Sequence, residues 1–292
     1  MIVVRLMGGL GNQLFQYAAA KQLSVINNSE LYFDTSFFTT TSDTTTPRKF
    51  ELDVFNINYN LATDEMLHHF HGSEFNSTEL VLTKLLSFGK FKKYKFNGYG
   101  FDSNFLNLKG NYYVRGFFQS EKYFSEIKNI IREELIINEQ YLPIDLELVN
   151  KINNSENSVS IHIRRGDYIH NLTSMDVHGI CSKDYYVKSI KLIKEKLGTE
   201  NIHFFIFTDD ANWVRNEMNW EIDCTLVSDK KPIEDFYLMS LCKHNIIMNS
   251  TFSWWAAWLN KNENKSIFVP KQWTNMLQTE KIELSPKNWI LK

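Results

Sequence analysis

The second half of the chain alternates five apolar segments with four segments of helical pattern. We predict its strands to be SVSIHI (158–163), HFFIFT (203–208), CTLVS (224–228), NIIMN (245–249) and SIFVP (266–270). The helices between them are predicted at 184–198, 211–218, 232–242 and 252–260. Strands that alternate with helices form parallel sheets, and such sheets bind ligands outside the carboxyl ends of their strands. This half is therefore predicted to be a doubly wound α/β domain.

The chain begins with the pattern of a strand, a glycine turn and a helix. IVVRL (2–6) is a β-branched run typical of a strand that is buried on both faces, and GGLG (8–11) ends it. The residues after the glycines have apolar side chains at helical spacing, and LYFDTSFF (31–38) is predicted to be a second strand. Residues 2–38 are therefore predicted to form a β-α-β unit on a parallel sheet.

The rest of the first half is less regular. TTTSDTTTPRKF (39–50) is polar and is predicted to be a surface loop, and no topology is predicted for residues 51–110. YYVRGFF (112–118) has the pattern of a strand, and residues 120–136 have that of an amphipathic helix. A polar stretch, NNSENS (153–158), is typical of a linker, so we place a domain boundary near residue 155.

Length and composition indicate a globular protein with one large domain or two of ordinary size. With the boundary near residue 155 we predict two domains, 1–155 and 156–292. The chain has 292 residues, a formal net charge of −2 and no general basic excess, so no nucleic-acid partner is expected. Its three cysteines, at 181, 224 and 242, are far apart and form no CxxC pair, which favours a reducing, cytoplasmic location over a disulfide framework or a zinc site. No run approaches the ~20 apolar residues of a membrane span.

Three polar clusters follow strands of the second half: HIRRGDY (162–168), TDD (208–210) and NSTFSWW (249–255). The carboxyl ends of parallel strands meet at one edge of the sheet, so we expect the clusters to line one crevice. Arginine forks bind phosphate oxygens, and serine and threonine hydroxyls at a helix start can hold a phosphate with the backbone N–H groups. The clusters therefore predict a site for a nucleoside diphosphate.

The same residues also have structural interpretations. Arg165 and Asp167 could form a salt bridge, and Ser250 and Thr251 could be simple helix N-caps. Asp209 or Asp210 could cap the next helix, and His162 could be a hydrogen-bonded core histidine. The shared position of these residues at one sheet edge favours the site.

The N-terminal glycines suggest a second kind of site. Gly9 and Gly11 match part of the dinucleotide-binding pattern, but Leu14 replaces its third glycine. Asp34 ends the next strand region about where a ribose-binding acid is expected, so an oxidoreductase that binds NAD or FAD is an alternative. Lys-Ser/Thr does not follow the glycines, which excludes a P-loop. Two α/β halves of this kind also describe a two-domain glycosyltransferase.

Four motifs carry a family resemblance: GGLGNQLFQYA (8–18), IHIRRGDY (161–168), TDD (208–210) and NSTFSWWAAWL (249–259). In this order they resemble the motifs of the α-1,2-fucosyltransferases of bacterial surface-glycan synthesis, glycosyltransferase family 11. YYVRGFFQSEKYF (112–124) is similar to the family's middle section. The resemblance implies a GT-B fold, in which two Rossmann-like domains face each other across a cleft.

The resemblance also implies a reaction. The enzyme would move fucose from GDP-β-L-fucose, with inversion, to the 2-hydroxyl of a terminal galactoside in a surface glycan or O-antigen. The acceptor would be a galactose-containing oligosaccharide or a lipid-linked glycan, and no metal or other cofactor would be required. The DD of TDD is also not the D-x-D pattern that holds manganese in the other major glycosyltransferase fold.

The residue roles implied by the resemblance divide between the two halves. Arg164 would stabilise the negative charge of the leaving GDP, and Asp167 would be the catalytic base or would orient the arginines. His162, Arg165 and Asp209 would bind the donor, with guanine contacts from His162 and Asp209. The phosphates and ribose would be held by Asn249, Ser250, Thr251, Phe252 and Ser253. The N-terminal turn would face the fucose and acceptor through Gly8, Gly9, Gly11, Asn12 and Gln13, of which Asn12 is also a candidate catalytic residue.

Two further surfaces have alternative interpretations. Trp254, Trp255 and Trp258 could form a stacking platform in a non-catalytic glycan-binding protein, although their helical spacing also fits core positions. KFKKYKF (90–96) could contact an anionic membrane peripherally, near a lipid-linked acceptor, or could be a solvated surface.

Overall fold

The computed structural model describes residues 1–39, 47–71, 91–142, 145–165, 181–218, 221–275 and 277–292. The chain divides into two compact units, Met1–Ile136 and Ile137–Lys292. This division lies earlier in the chain than the boundary near residue 155 that the sequence suggests. The helix Leu146–Asn154 accounts for the difference, because the Asp145 carboxylate at its N-cap lies 2.8 Å from Nζ of Lys230 and ties the helix to the second unit.

A parallel sheet forms the centre of the first unit. Its strands are β1 (Ile2–Arg5), β2 (Leu31–Asp34), β3 (Asn60–Leu61), β4 (Phe91–Lys95) and β5 (Asn111–Arg115). Among the described residues their order across the sheet is β3-β2-β1-β5-β4, and every neighbouring pair is parallel. The β-branched strand β1 is central and buried, as its sequence predicts. The β-α-β order predicted for residues 2–38 is confirmed.

The helices among the described residues of this unit are α1 (Leu10–Ile26), α2 (Asp64–His71) and α3 (Lys128–Glu134). The Oδ1 atom of Asp34 accepts a hydrogen bond from the Ser36 backbone N–H at 2.9 Å. This turn ends β2 at Asp34, so the strand predicted for 31–38 is too long. A single helix at 120–136 is also wrong: a 3₁₀ segment, Glu121–Ile127, precedes α3, and the buried Phe124 inside it has non-helical φ and ψ of −137° and 23°.

The basic-aromatic stretch forms the edge strand β4. Its lysines at 92, 93 and 95 are exposed. The ring of Tyr94 packs against Phe105 and Phe118, with centroid distances of 5.4 and 6.4 Å, so the aromatic side chains of this stretch contribute to the interior. Lysines along an edge strand also discourage pairing with another strand.

The second unit contains the predicted alternation of strands and helices. Its strands are β6 (Ser158–Ile163), β7 (His203–Thr208), β8 (Cys224–Val227), β9 (His244–Ile246), β10 (Ile267–Val269), β11 (Gln272–Thr274), β12 (Leu277–Gln278) and β13 (Ile290–Leu291). The helices in its described part are α4 (Leu146–Asn154), α5 (Lys183–Leu197), α6 (Ala211–Glu217), α7 (Pro232–Leu241) and α8 (Thr251–Leu259). The predicted elements are confirmed within a few residues; the short strands β11, β12 and β13 were not predicted.

The main sheet of this unit has the strand order β8-β7-β6-β9-β10-β13, and its pairs are parallel. In chain order this is the 3-2-1-4-5-6 arrangement of dinucleotide-binding sheets. The chain winds outward from β6 in one direction and then from β9 in the other. The point where the winding reverses therefore lies between β6 and β9. Sheets of this kind bind ligands in the crevice at this point, which we call the winding-reversal crevice.

Candidate donor site

Two of the three predicted clusters flank the crevice between β6 and β9. His162 lies on β6, Arg164 follows that strand directly, and Ser250 precedes α8 after β9. The third cluster, which contains Asp209, follows β7 on the other side of β6. The three clusters share one sheet edge, as expected, but the expectation that all three line one crevice is not met, because Asp209 lies one strand away from the crevice.

His162 is buried and uncharged. Its Nδ1 atom is enclosed and has no hydrogen-bond partner among the described residues. Burial, together with the positive charge of Arg164, lowers the pKa of the imidazole to about 3. The ring lies 5.9 Å from that of Phe252. A neutral imidazole at this position can donate or accept a hydrogen bond without adding charge to the crevice.

The helix α8 begins at the crevice with a backbone that no side chain caps. Ser250 is the N-cap, yet its hydroxyl makes no capping hydrogen bond, and the first turn contains no acidic residue. The simple N-cap interpretation of Ser250 is therefore wrong. The first N–H groups of a helix attract anions when no side-chain oxygen occupies them.

The neighbouring predicted residues differ in what they can offer a ligand. Ser253 is fully buried and donates its hydroxyl hydrogen to the Ser250 carbonyl at 3.3 Å. The Asn249 amide donates to the Trp273 carbonyl at 3.2 Å and accepts from Cys181 Sγ at 3.4 Å. Both therefore have structural contacts. Thr251 and Phe252 are half-buried at the start of α8.

One acidic residue near the crevice was missed in the sequence. Phe252 packs against Phe236 of α7, with ring centroids 5.3 Å apart, and Asp235 precedes Phe236. The Oδ1 atom of Asp235 is enclosed and has no hydrogen-bond partner among the described residues. Burial first, and then the charge of Glu234, raise the pKa of this carboxyl to about 7. An acid in the first turn of a helix that follows a sheet strand was the signal available in the sequence.

Each arginine of the RR pair faces one aspartate of TDD. Nε of Arg164 lies 3.8 Å from Oδ2 of Asp209, and Nε of Arg165 lies 3.5 Å from Oδ2 of Asp210. Asp209 also accepts the Arg165 backbone N–H through Oδ1, at 2.8 Å. The two carboxylates thus join the end of β6 to the end of β7.

Arg165 and Asp210 have clear structural roles. The Arg165 guanidinium lies over the ring of Trp213, 3.9 Å from its centroid, which is a cation–π contact. Asp210 caps α6 by accepting the Trp213 backbone N–H at 3.0 Å. Arg165 therefore has a structural partner in Asp210, whereas the predicted salt bridge between Arg165 and Asp167 lies outside the described residues and stays a prediction. Asp167, the candidate base, lies outside the described residues, so its role stays a prediction.

The N-terminal glycine turn is shaped by contacts with Asn12 and Gln13. Gly8 has a positive φ of 79°, and a Cβ atom there would lie 2.7 Å from Nδ2 of Asn12. Gly9 is the N-cap of α1, and Gly11 is buried in the first turn. The Oδ1 atom of Asn12 accepts a hydrogen bond from Gln119 Nε2 at 2.9 Å. Asn12 is half-buried, at the carboxyl edge of the first sheet.

Gln13 is fully buried and binds the backbone on both sides of the turn. Its Nε2 donates to the carbonyls of Gly8 at 3.0 Å and Lys49 at 2.8 Å, and its Oε1 accepts the Glu51 N–H at 3.0 Å. These bonds hold the segment around Arg48 so that its guanidinium lies against Gly9. Gln13 was predicted to face the substrates; the structure shows it as the anchor of this turn.

Two alternative interpretations meet structural obstacles. Asp34 is buried, and its carboxylate accepts hydrogen bonds from the Tyr113 hydroxyl at 2.6 Å and from Ser36, so it is not presented to a ribose. The tryptophans of α8 are in the core and do not form a stacking platform.

In the part of the chain that the structure describes, no helix is long and apolar enough to cross a membrane.

Comparison with known proteins places the fold and the family. The model of glycosyl transferase family 11 matches residues 1–291. The solved structure of an Arabidopsis thaliana FUT1 mutant in complex with GDP has a TM-score of 0.53 and 14% identity, and the match covers 92% of this chain and 69% of that one. The fold is therefore of the GT-B type that the resemblance implies.

Two similar proteins come from Escherichia coli. The alpha-1,2-colitosyltransferase is 33% identical over 99% of this chain and 98% of its own length. The O-antigen biosynthesis glycosyltransferase WbnK is 35% identical over 98% of both chains. A galactoside 2-alpha-L-fucosyltransferase of Caenorhabditis elegans is 26% identical over 64% of this chain and 53% of its own length. With a family model that matches nearly every residue, the chain belongs to glycosyl transferase family 11.

Proposed function

We propose that this glycosyltransferase moves L-fucose from GDP-β-L-fucose to the 2-hydroxyl of a terminal galactoside, with inversion at the fucose C1. The observation that carries the proposal is the position of Arg164 and the uncapped start of α8 on the two sides of the winding-reversal crevice. Together they offer a guanidinium and backbone N–H groups to a diphosphate. Galactose-containing oligosaccharides and lipid-linked glycans are the acceptors we propose, bound by the first unit.

The proposed transfer depends on electrostatic stabilisation. The bond between fucose C1 and the β-phosphate oxygen breaks while the acceptor O2 bonds to C1. Negative charge grows on the phosphate, and a fixed arginine directed at it lowers the energy of the transition state more than that of the bound donor. In this proposal Arg164 supplies that charge. The galactose hydroxyl loses its proton to a base, for which Asp167 is the candidate.

We further propose that Asp235 and His162 recognise the nucleoside. Guanine presents an N1–H and an amino group on one edge, and a carboxylate can accept a hydrogen bond from each. Asp235 has an enclosed carboxyl oxygen without a protein partner, beside the Phe236–Phe252 contact that leads to the His162 ring. A guanine there would satisfy that oxygen.

Metal independence is part of the proposal. It is supported by the guanidinium and the helix start, which supply positive charge where a cation would otherwise be needed. Addition of EDTA to the assay tests it: transfer should continue at an unchanged rate. Transfer that stops with EDTA and returns with a divalent cation would contradict this part.

A peripheral membrane contact through Lys92, Lys93 and Lys95 of β4 is a separate proposal, supported by their exposure on an edge strand. Each such lysine adds about 1 kcal/mol of attraction to an anionic surface. Sedimentation with vesicles that contain phosphatidylserine tests it. Reversal of the three charges should release the protein, and unchanged binding would contradict the contact.

The colitosyltransferase relative gives a specific reason to test a second donor sugar. The decisive assay sets GDP-fucose beside GDP-colitose, each with a panel of galactosides, and determines the product linkage by NMR. We expect a fucosyl product linked to O2 of galactose. A product formed from GDP-colitose alone would keep the mechanism and change the donor, whereas transfer to another hydroxyl would change the acceptor assignment.

A further inference from the structure

We infer that Asp209 is a positioning residue, which orients Arg164 and does not contact the guanine base. This inference rests on the proposed function, because it assumes that Arg164 acts on the leaving GDP. It reassigns a residue for which the sequence suggested a guanine contact. Three observations within the second unit support it: the contacts of the carboxylate, the strand that carries it and the separate duties of its neighbour Asp210.

The carboxylate of Asp209 is directed at the end of β6. The last registered pair between β6 and β7 is Ile163 with Thr208, so the parallel ladder ends immediately before Arg164 and Asp209. The Asp209 carboxylate extends the connection between the strands, because Oδ1 accepts the Arg165 N–H at 2.8 Å. It therefore fixes the main chain at the base of the Arg164 side chain.

The other carboxylate oxygen, Oδ2, lies 3.8 Å from Nε of Arg164. Nε is the guanidinium nitrogen nearest to the aliphatic stem, so an ion pair there restricts the plane of the guanidinium through its inner edge. The two side chains are partly exposed, at 27% and 38% for Arg164 and Asp209. Attraction between partly exposed charges contributes little to folding stability, which favours orientation as the main effect of this pair.

The strand order also separates Asp209 from the crevice. β7 lies on the side of β6 away from β9, whereas the winding-reversal crevice lies between β6 and β9. Asp235 gives the site another carboxyl for the guanine edge, with an enclosed oxygen that has no partner in the described part of the chain. The two acids can therefore have different duties, one toward the arginine and one toward the base.

Asp210 provides a matched control. It is the adjacent acid and also pairs with an arginine, at 3.5 Å from Nε of Arg165. Its partner is held against Trp213, and its Oδ1 caps α6. Asparagine can also cap a helix, so D210N should leave kcat within about threefold of the wild-type value, whereas D209N should lower kcat, if the acids act as inferred.

The experiment compares wild type, D209N and D210N for kcat of transfer, for the Kd of GDP and for the Kd of inosine diphosphate, which lacks the guanine amino group. Loss of Asp209 should misplace Arg164 and lower kcat on the order of 10²-fold, since a shift of about 1 Å can have such an effect. The Kd of GDP and the preference for GDP over inosine diphosphate should stay within about threefold of the wild-type values.

A double-mutant cycle makes the test specific to Arg164. In an R164A background, D209N should lower kcat by less than threefold, because the residue through which it acts is gone. If D209N unfolds, the same measurements are made on Asp209→Glu. This variant retains the charge and should therefore keep part of the wild-type kcat. A loss of 10²-fold that is unchanged in the R164A background would overturn the inference.

The remaining outcomes are equally distinct. Weak GDP binding by D209N together with loss of the preference over inosine diphosphate would show a guanine contact and overturn the inference. Wild-type kcat in D209N would also overturn it, with the proposed function intact. A wild-type enzyme that transfers from no GDP-sugar would overturn the proposed function and this inference with it.

Discussion

The side-chain amide of Gln119 donates a hydrogen bond to Oδ1 of Asn12 over 2.9 Å, and so joins the segment after β5 to the first turn of α1. The contact fixes which end of the Asn12 amide is engaged within the protein. No described residue pairs with the Nδ2 group of Asn12, which can donate to a substrate oxygen.

The first prediction concerns this amide pair. Gln119→Ala should raise the KM for the acceptor about fivefold and leave the Kd of GDP unchanged, because one hydrogen bond of about 1 kcal/mol that orients Asn12 is lost. Gln22→Ala is the control: Gln22, also on α1, donates to Glu126 at 3.2 Å. Equal effects of the two substitutions on the acceptor KM would contradict the orienting role of Gln119.

The second prediction concerns the glycine turn. Gly8→Ala combines a left-handed backbone with a contact 2.7 Å from Asn12, and should lower the free energy of unfolding by about 2–3 kcal/mol. Gly198→Ala also places alanine at a positive φ, 65°, but nothing lies within 4 Å of the added carbon. The expected loss in the free energy of unfolding is therefore only about 1 kcal/mol. Urea unfolding measures both, and an equal loss would show that the Asn12 contact carries no strain.

The third prediction is a pH dependence of GDP binding. Burial and Glu234 hold the pKa of Asp235 at about 7 in the free protein, and its charged form is the one proposed to accept the guanine N–H groups. As pH falls through 7 the carboxyl is protonated, so the affinity should weaken, approaching roughly tenfold per pH unit below the pKa. Calorimetry from pH 6 to 8 measures how the Kd of GDP changes with pH.

Asp235→Asn is the control for this slope, because the GDP phosphate also titrates near pH 6. The variant retains the phosphate titration and loses the carboxyl. It should bind GDP more weakly at pH 8, show a smaller pH dependence and prefer GDP less over inosine diphosphate. A pH profile identical to that of the wild type would remove Asp235 from base recognition.

The fourth prediction tests the dinucleotide alternative. Asp34→Ala leaves the Tyr113 hydroxyl, a buried partner at 2.6 Å, without its acceptor and should cost about 1–3 kcal/mol of unfolding free energy. The wild-type Tm should rise with GDP and remain unchanged with NAD. Stabilisation by NAD and none by GDP would favour the oxidoreductase.

Much of the second unit could be predicted from the sequence, because its strands are continuous apolar runs separated by amphipathic helices. Strands of two residues, such as Asn60–Leu61 and Ile290–Leu291, are too short to show a period and were missed. The break at Phe124 was also missed, since the helical pattern of apolar residues continues through it.

The positions of the candidate site residues were predictable where a motif coincided with a strand end, as for His162 and Arg164 at the end of β6. Which charged side chains pair with each other was not predictable. Arg165 and Trp213 are far apart in sequence, and their stacking follows from the sheet order, which spacing does not reveal. Gln13 belongs to the N-terminal glycine motif, but only its three hydrogen bonds to the backbone show that it anchors the turn.

The central claim is that Arg164 stabilises the departing GDP in a fucosyl transfer. The most direct test is the kcat of Arg164→Ala with saturating GDP-fucose and a galactoside acceptor. Arg215→Ala, which alters an exposed arginine on α6, serves as the control. We predict a loss of about 10²–10³-fold in kcat for Arg164→Ala and wild-type activity for Arg215→Ala. A folded Arg164→Ala enzyme with near wild-type kcat would contradict the account.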